Sequence, residues 1–123
     1  MTRVLIVDYD QTIVRMLRLT LHTSGFDVET AHDAETAFAA LDREPPDAII
    51  LDLAVGEIPA ERFVREIRRH GCVAPIIVTS AAVSGDRRRL GADAFIPKPF
   101  RPDAVIEAVA ALTHYAMDGA AGG

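Results

Sequence analysis

Short apolar runs alternate along the chain with longer segments in which apolar residues recur at helical spacing. The run at residues 4–7 consists of β-forming residues and ends abruptly at Asp8, as a strand buried on both faces would. Comparable runs predict further strands at residues 48–51, 76–79 and 94–96, and alternating residues at 28–31 predict a strand nearer the edge of the sheet. Helical periodicity predicts helices over residues 11–24, from residue 34 to the prolines at 45 and 46, over residues 60–70, and from residue 102 onward.

The alternation of five strands with helices predicts right-handed βαβ crossovers, and hence a doubly wound α/β domain with a parallel sheet between two layers of helices. Residues 86–90 leave room for barely one helical turn, so we expect the fourth helix, between the fourth and fifth strands, to be shortened or missing. We predict one domain over residues 1–118 and a flexible Gly/Ala tail over residues 119–123. Open sheets of this kind bind ligands at the carboxyl ends of their strands, and we expect the function there.

Composition and charge limit the classes of partner. The 123 residues carry a net charge of −5, and the three consecutive arginines at 87–89 are too few for the basic footprint of a nucleic-acid-binding protein. Cys72 is the single cysteine, so an internal disulfide is impossible and a reducing compartment is favoured. The first apolar run is too short for a signal peptide or a membrane span. We therefore expect a cytoplasmic domain that binds neither nucleic acid nor membrane.

The residues that close the predicted strands have complementary chemistry. Asp8 and Asp10 follow the first strand, Asp52 the third, Ser80 the fourth and Lys98 the fifth. Clustered carboxylates repel each other, and proteins tolerate this repulsion around a cation such as Mg²⁺, which prefers oxygen ligands. A lysine and a hydroxyl beside them suit a phosphoryl group, which an aspartate can accept as an aspartyl phosphate. Each residue alone would more often be a helix cap or a surface side chain, but four strand ends with matching chemistry predict a site.

The chain resembles the receiver domain of bacterial two-component response regulators from residue 4 to about residue 112. The resemblance is carried by Asp8, by the strand at residues 48–52 with its terminal aspartate, by Ser80-Ala81, and by residues 91–100 with their Lys-Pro-Phe end. It implies a flavodoxin-like sheet of strand order 2-1-3-4-5 and a cis peptide bond before Pro99. It also implies that Asp52 accepts a phosphoryl group from a histidine kinase or a histidine phosphotransfer protein.

The resemblance assigns roles to the residues around Asp52. The Ser80 hydroxyl would contact the phosphoryl group and Lys98 would pair with it. Ser80 and Phe95 would then move inward as a switch and change a partner-binding surface that extends from Ser80 to the last helix. The resemblance implies no enzymatic activity beyond self-catalysed phosphotransfer and autodephosphorylation. We expect a monomer or a weak homodimer.

The resemblance also implies a magnesium site. Mg²⁺ would be held by Asp8, Asp52 and the backbone carbonyl of Ala54, helped by Asp10 if the loop turns that side chain inward. Tyr9 stands where the family normally has a second acid that binds the metal, and a phenol with a pKa of about 10 is a poor Mg²⁺ ligand at neutral pH. Two mechanisms therefore stay open. Asp52 is phosphorylated, or the chain is a degenerate receiver that docks a partner without phosphorylation.

A different class of protein shares part of the pattern. Residues 8–12 match the D-x-D-x-T motif that opens haloacid-dehalogenase-like phosphatases, in which Asp8 would be the nucleophile and Asp10 the acid/base. Ser80 and Lys98 would then take the roles of the later hydroxyl and lysine. The final acidic motif that holds the Mg²⁺ of those enzymes is missing, and the chain is short for their fold. A flavin-binding domain is set aside because residues 9–11 do not form a phosphate-binding loop and acidic residues would repel the flavin phosphate.

Overall fold

The computed structural model describes residues 2–52, 59–80 and 91–121, with side chains described as far as residue 113 in the last helix. Every predicted strand is present, and each of the helices predicted at 11–24, after residue 34, at 60–70 and after residue 102 is present as well. The elements are β1 (Arg3–Val7), α1 (Gln11–Thr23), β2 (Asp27–Ala31), α2 (Ala34–Arg43), β3 (Ala48–Asp52), α3 (Ala60–Arg69), β4 (Ile76–Ser80), β5 (Ala94–Pro97) and α4 (Pro102–Ala121).

Two predictions concern the segment between β4 and β5 and the C-terminal tail. The single turn at residues 86–90, and with it the shortened or missing helix between β4 and β5, lies outside the described residues. Helix α4 extends to Ala121 and so marks no boundary at residue 118. The division into a domain over residues 1–118 and a tail over residues 119–123 stays a prediction.

The five strands form one parallel sheet in the order β2-β1-β3-β4-β5, which confirms the predicted doubly wound, flavodoxin-like α/β topology. The three central strands are buried almost throughout, as their unbroken apolar runs predict. Strand β2 lies at an edge and is mostly half-buried, in keeping with its mixed polar and apolar sequence. Each central strand therefore ends at the same edge of the sheet, where the chain passes from apolar to polar residues.

Side chains that alternate along each strand supply two cores, one on each face of the sheet. Leu5 and Val7 of β1 pack in a core with the buried residues of α2 and α3, among them Phe63. Val4 and Ile6 face the other way and pack with buried residues of α1 and α4. The sheet is thus packed between two helical layers, and its carboxyl edge carries the residues that follow the strands.

The residues before α2 and those after α1 and α3 determine how the chain enters and leaves these helices. Asp33 caps α2: its side chain accepts a hydrogen bond from the Thr36 N–H, and the Thr36 hydroxyl receives one from the Asp33 N–H in a capping box. Gly25 and Gly71, which follow α1 and α3, have φ angles of 96° and 82°. Residues with a Cβ atom rarely adopt such angles, so glycine lets the chain turn from each helix toward the next strand.

Candidate functional site

The carboxyl ends of β1, β3 and β5 bring three charged side chains together. The Nζ atom of Lys98 lies 3.3 Å from Oδ2 of Asp8 and 3.3 Å from Oδ2 of Asp52. Asp8 is 3% exposed and Asp52 is 6% exposed, so both carboxylates are removed from bulk water. These residues are separated by up to 90 positions in the sequence, and the parallel sheet places them in one ion-pair network as predicted from the strand ends.

Ser80 and Phe95, two further predicted residues, lie on the neighbouring strands β4 and β5. Ser80 ends β4, is buried, and lies beside Pro97 in the register of β4 with β5. The Lys98 N–H donates to the Ser80 carbonyl oxygen at 2.6 Å, which holds the start of the β5–α4 loop against the end of β4. The peptide bond between Lys98 and Pro99 is cis, as predicted. Phe95, the predicted switch residue, is half-buried on β5 and packs against the core that contains Phe63.

Among the described residues, the site brings two carboxylates and one ammonium group together. Burial raises the pKa of Asp8 above its ordinary value, and the neighbouring charge of Asp52 raises it further. The hydrogen bond from the Asp10 backbone N–H and the ammonium group of Lys98 act in the opposite direction without cancelling the effect of burial. A cation bound to both carboxylates would reduce the repulsion between them.

Asp10 and Tyr9 do not join the two buried carboxylates. The Asp10 side chain is exposed and caps α1 by accepting hydrogen bonds from the backbone N–H groups of Thr12 and Ile13. Tyr9 is 58% exposed. Among the residues that the structure describes, no group of three or more His, Cys, Asp or Glu side chains is arranged to hold a metal ion. The loop after β1 therefore uses Asp10 as a helix cap, and the inward turn that would make it a metal ligand is absent from this structure.

The carboxylates that are present fit Mg²⁺. This ion keeps several of its waters and is usually bound in proteins by one or two carboxylates together with substrate phosphate oxygens. Asp8 and Asp52 supply two buried carboxylates at the carboxyl edge of the sheet, and a bound cation would reduce the repulsion between them. Ala54, whose backbone carbonyl is the third predicted ligand, lies outside the described residues.

An apolar recess next to Lys98 was not predicted. It has a volume of about 300 Å³ and is lined by Ile13, Met16, Lys98, Pro99 and Phe100. The helical periodicity of residues 11–24 indicates which side chains face the sheet, but it does not show that those near the start of the helix border the β5–α4 loop. The Lys-Pro-Phe sequence is the signal that could have identified this recess, since it places two apolar residues directly after the lysine of the site.

Comparisons with known proteins agree with the architecture. The sequence model of the response regulator receiver domain matches residues 4–110. The response regulator MprA of Mycobacterium avium (strain 104) is 33% identical over 114 residues, which cover 89% of this chain and 50% of MprA. MprA of Mycobacterium tuberculosis (strain ATCC 25618 / H37Rv) has the same identity and coverage. The chain thus spans about half the length of the curated relatives it matches.

Solved structures give the same result for the fold. The chemotaxis protein CheY4 of Vibrio cholerae superposes with a TM-score of 0.83 at 28% identity, covering 91% of this chain and 98% of CheY4. The receiver domain of the Francisella response regulator 1452 superposes with a TM-score of 0.85, covering 94% and 99% of the two chains. Its identity of 23% supports the shared fold alone.

Proposed function

Because the chain belongs to the response regulator receiver domain family, we propose that Asp52 is its phosphoacceptor in a two-component or phosphorelay pathway. One observation carries the proposal. The Lys98 ammonium group lies 3.3 Å from the carboxylates of both Asp8 and Asp52, in a buried site at the carboxyl edge of the sheet. A carboxylate held beside a fixed cation suits a reaction in which negative charge is transferred as a phosphoryl group.

The proposed reaction uses the strand-end residues in distinct roles. A carboxylate oxygen of Asp52 forms a bond to the phosphorus of a phosphohistidine while the phosphorus–nitrogen bond breaks and its electron pair returns to the imidazole. Lys98 pairs with a phosphoryl oxygen, and the Ser80 hydroxyl donates a hydrogen bond to another. Asp8 and Asp52 would hold Mg²⁺, which when bound neutralises charge on the phosphoryl oxygens. The catalysis consists of positioning and charge neutralisation by these side chains.

The proposed donor is a histidine kinase or a histidine phosphotransfer protein, since receiver domains of response regulators are phosphorylated by histidine kinases. Beyond phosphotransfer to its own aspartate and hydrolysis of that phosphate, we propose no enzymatic activity. The free, buried Cys72 is compatible with a reducing compartment, and we propose that the chain acts in the cytoplasm. No helix in residues 2–52, 59–80 and 91–121 is long and apolar enough to cross a membrane.

The proposed output is a change in a protein-binding surface between Ser80 and α4. Phosphorylation would draw Ser80 and Phe95 inward and so change the outer face of β5. The described part of this region contains a groove of about 460 Å³ between β5 and α4, with both charged and apolar walls. Its lining includes Ile96, Arg101, Asp103 and Glu107. We propose that the chain presents this surface to a protein partner as a monomer or a weak homodimer.

The phosphatase alternative is not favoured by family membership. In that alternative Asp10 would be the acid/base, but its carboxylate is held by the first-turn N–H groups of α1. The degenerate receiver is the second candidate that an observation supports. Tyr9, which is exposed, stands where the family normally has a second acid that binds the metal. Among the described residues, the site therefore has two carboxylates rather than three.

Phosphorylation by acetyl phosphate distinguishes the two candidates. The full chain is incubated with acetyl phosphate and Mg²⁺, and its intact mass is measured beside Asp52→Asn and a sample without metal. We expect the wild-type protein to gain one phosphoryl group and both controls to gain none. No gain in the wild-type protein, under conditions that label another receiver domain, would refute the phosphoacceptor proposal and favour docking without phosphorylation.

A further inference from the structure

We infer that Asp10 is a positioning residue for the Asp8–Asp52 site: its carboxylate caps α1, and the backbone that this cap fixes presents the Asp10 N–H group to Asp8. The inference rests on the proposed function, because it takes Asp8 and Asp52 as the carboxylates that hold Mg²⁺. It gives Asp10 a role in cation binding that requires no contact between Asp10 and the cation.

The hydrogen bonds of Asp10 connect the helix to the site. Its Oδ1 atom accepts hydrogen bonds from the N–H groups of Thr12 at 3.0 Å and Ile13 at 3.4 Å. Its carbonyl oxygen accepts the first helical hydrogen bond, from the Val14 N–H at 3.0 Å. Its φ and ψ angles of −77° and 105° are extended, as an N-cap residue requires. Its own N–H group is thereby directed away from the helix, and it donates to Oδ1 of Asp8 at 2.9 Å.

The two oxygens of Asp8 have different partners. Oδ1 accepts from the Asp10 N–H, and Oδ2 lies 3.3 Å from the Nζ atom of Lys98. Rotation of the carboxylate would weaken at least one of these contacts, so together they fix its plane. An ionised carboxylate offers about four acceptor positions, and the two contacts therefore leave capacity for a cation. A site with two carboxylates depends strongly on the orientation of each, since Mg²⁺ requires near-ideal octahedral geometry.

Direct coordination by Asp10 would require a different loop. The carboxylate would have to leave the N–H groups of Thr12 and Ile13, which would then lose their acceptor. The resulting change in the backbone at Asp10 would also move the N–H group that orients Asp8. The Asp10 side chain can thus either cap α1 or coordinate the cation. In this structure it caps α1.

Cation affinity of a small set of variants separates these roles. Binding of Mg²⁺ is measured by calorimetry for the wild-type protein, Asp10→Asn, Asp10→Ala and Asp33→Ala. Asparagine caps helices as well as aspartate does, whereas alanine does not, and the two Asp10 variants have the same charge. Asp33→Ala is the matched control, because it also removes one acidic N-cap, and Asp33 bonds to Thr36 rather than to the described residues of the site.

We expect Asp10→Asn to stay within about threefold of the wild-type affinity and Asp10→Ala to bind about three- to tenfold more weakly than Asp10→Asn. Asp33→Ala should match the wild-type protein. Equal weakening by Asp10→Asn and Asp10→Ala would show that the carboxylate is itself a ligand and would overturn the inference. Equal affinity of all variants, or equal weakening by Asp33→Ala and Asp10→Ala, would overturn it as well.

A second measurement needs no metal and keeps the inference testable if the wild-type protein fails to bind Mg²⁺. In metal-free protein, the amide proton of residue 10 should resonate downfield because it is bonded to a carboxylate. The shift should persist in Asp10→Asn and be lost in Asp10→Ala while the other amides of the sheet stay unchanged. An unchanged shift in Asp10→Ala would refute the positioning role. If the wild-type protein does not bind Mg²⁺ but the amide shifts of residue 10 are as expected, the result would count against the proposed function and not against the positioning role.

Discussion

Asp8→Asn should stabilise the metal-free protein at neutral pH while abolishing its response to Mg²⁺. The substitution keeps the shape of the side chain and an oxygen for the Asp10 N–H, but it removes one of two buried negative charges. At 3.3 Å and an effective dielectric constant of about 20, the attraction between Lys98 and Asp8 is about 5 kcal/mol before desolvation. The pKa of Asp8 is nevertheless raised, because burial and the charge of Asp52 outweigh the hydrogen bond from Asp10 and the effect of Lys98 on that pKa.

The net effect is therefore the small difference between large opposing contributions. We expect Asp8→Asn to raise the free energy of unfolding at pH 7 by about 1 kcal/mol, the usual size of a successful charge optimisation. For a domain of this length that corresponds to an increase in Tm of about 4 °C. The protein contains no tryptophan, so urea and thermal unfolding are followed by far-ultraviolet circular dichroism in the presence of a chelator.

The pH dependence provides the sharper test. Because the pKa of Asp8 is raised in the folded protein, protonation of Asp8 favours folding. In the wild-type protein this stabilisation is absent at pH values above the pKa of Asp8 in the folded state. It is complete at pH values below the ordinary pKa of 3.8. The gain in free energy of unfolding from Asp8→Asn should thus be largest at neutral pH. It should disappear as the pH falls from the folded-state pKa of Asp8 to its ordinary pKa. Mg²⁺ should stabilise the wild-type protein and leave Asp8→Asn unchanged.

Asp103→Asn, an exposed substitution of the same type on the first turn of α4, serves as the control and should change stability by less than about 0.5 kcal/mol. A variant Asp8→Asn that is less stable than the wild-type protein at pH 7 without metal would refute the reasoning. So would an advantage that grows as the pH falls.

Three further predictions concern the loop, the phosphoryl contact and the core. Tyr9→Asp should strengthen Mg²⁺ binding severalfold by calorimetry, and unchanged or weaker binding would mean that Asp10 already supplies the missing carboxylate. Ser80→Ala should slow labelling by acetyl phosphate at least about tenfold with little change in the unfolding midpoint, whereas an unchanged rate would remove the Ser80 hydroxyl from the mechanism. Phe63→Ala, at the centre of one core, should lower the free energy of urea unfolding by about 3–5 kcal/mol, and a loss below 1 kcal/mol would contradict the packing described above.

The sheet could be predicted from the sequence because burial on two faces imposes a pattern that local composition shows directly. Residues 4–7, 48–51 and 76–78 are unbroken apolar runs followed by a polar residue, and a strand of a parallel sheet between two helical layers requires that pattern. The meeting of Asp8, Asp52 and Lys98 follows from the same reasoning, since parallel strands end at one edge. The strand order itself came from resemblance to a family, because the periodicity of single strands does not determine which strands are neighbours.

The role of Asp10 could not be predicted in the same way. An acidic residue between a strand and a helix is suited both to coordinate a metal and to cap the helix, and the choice depends on backbone angles at one position. The recess beside Lys98 depends on how α1 packs against the β5–α4 loop, which is a contact between segments more than 80 residues apart. Both features depend on the three-dimensional arrangement of the chain, which the local sequence around each residue does not reveal.

The position of the phosphoryl group tests the central claim most directly. The chain is labelled with acetyl phosphate and Mg²⁺ and reduced with borohydride, which converts an aspartyl phosphate to homoserine, and its peptides are then mapped by mass spectrometry. The account predicts homoserine at residue 52 and at no other aspartate. Homoserine at residue 8, with residue 52 unmodified, would contradict it and would make Asp8 the nucleophile.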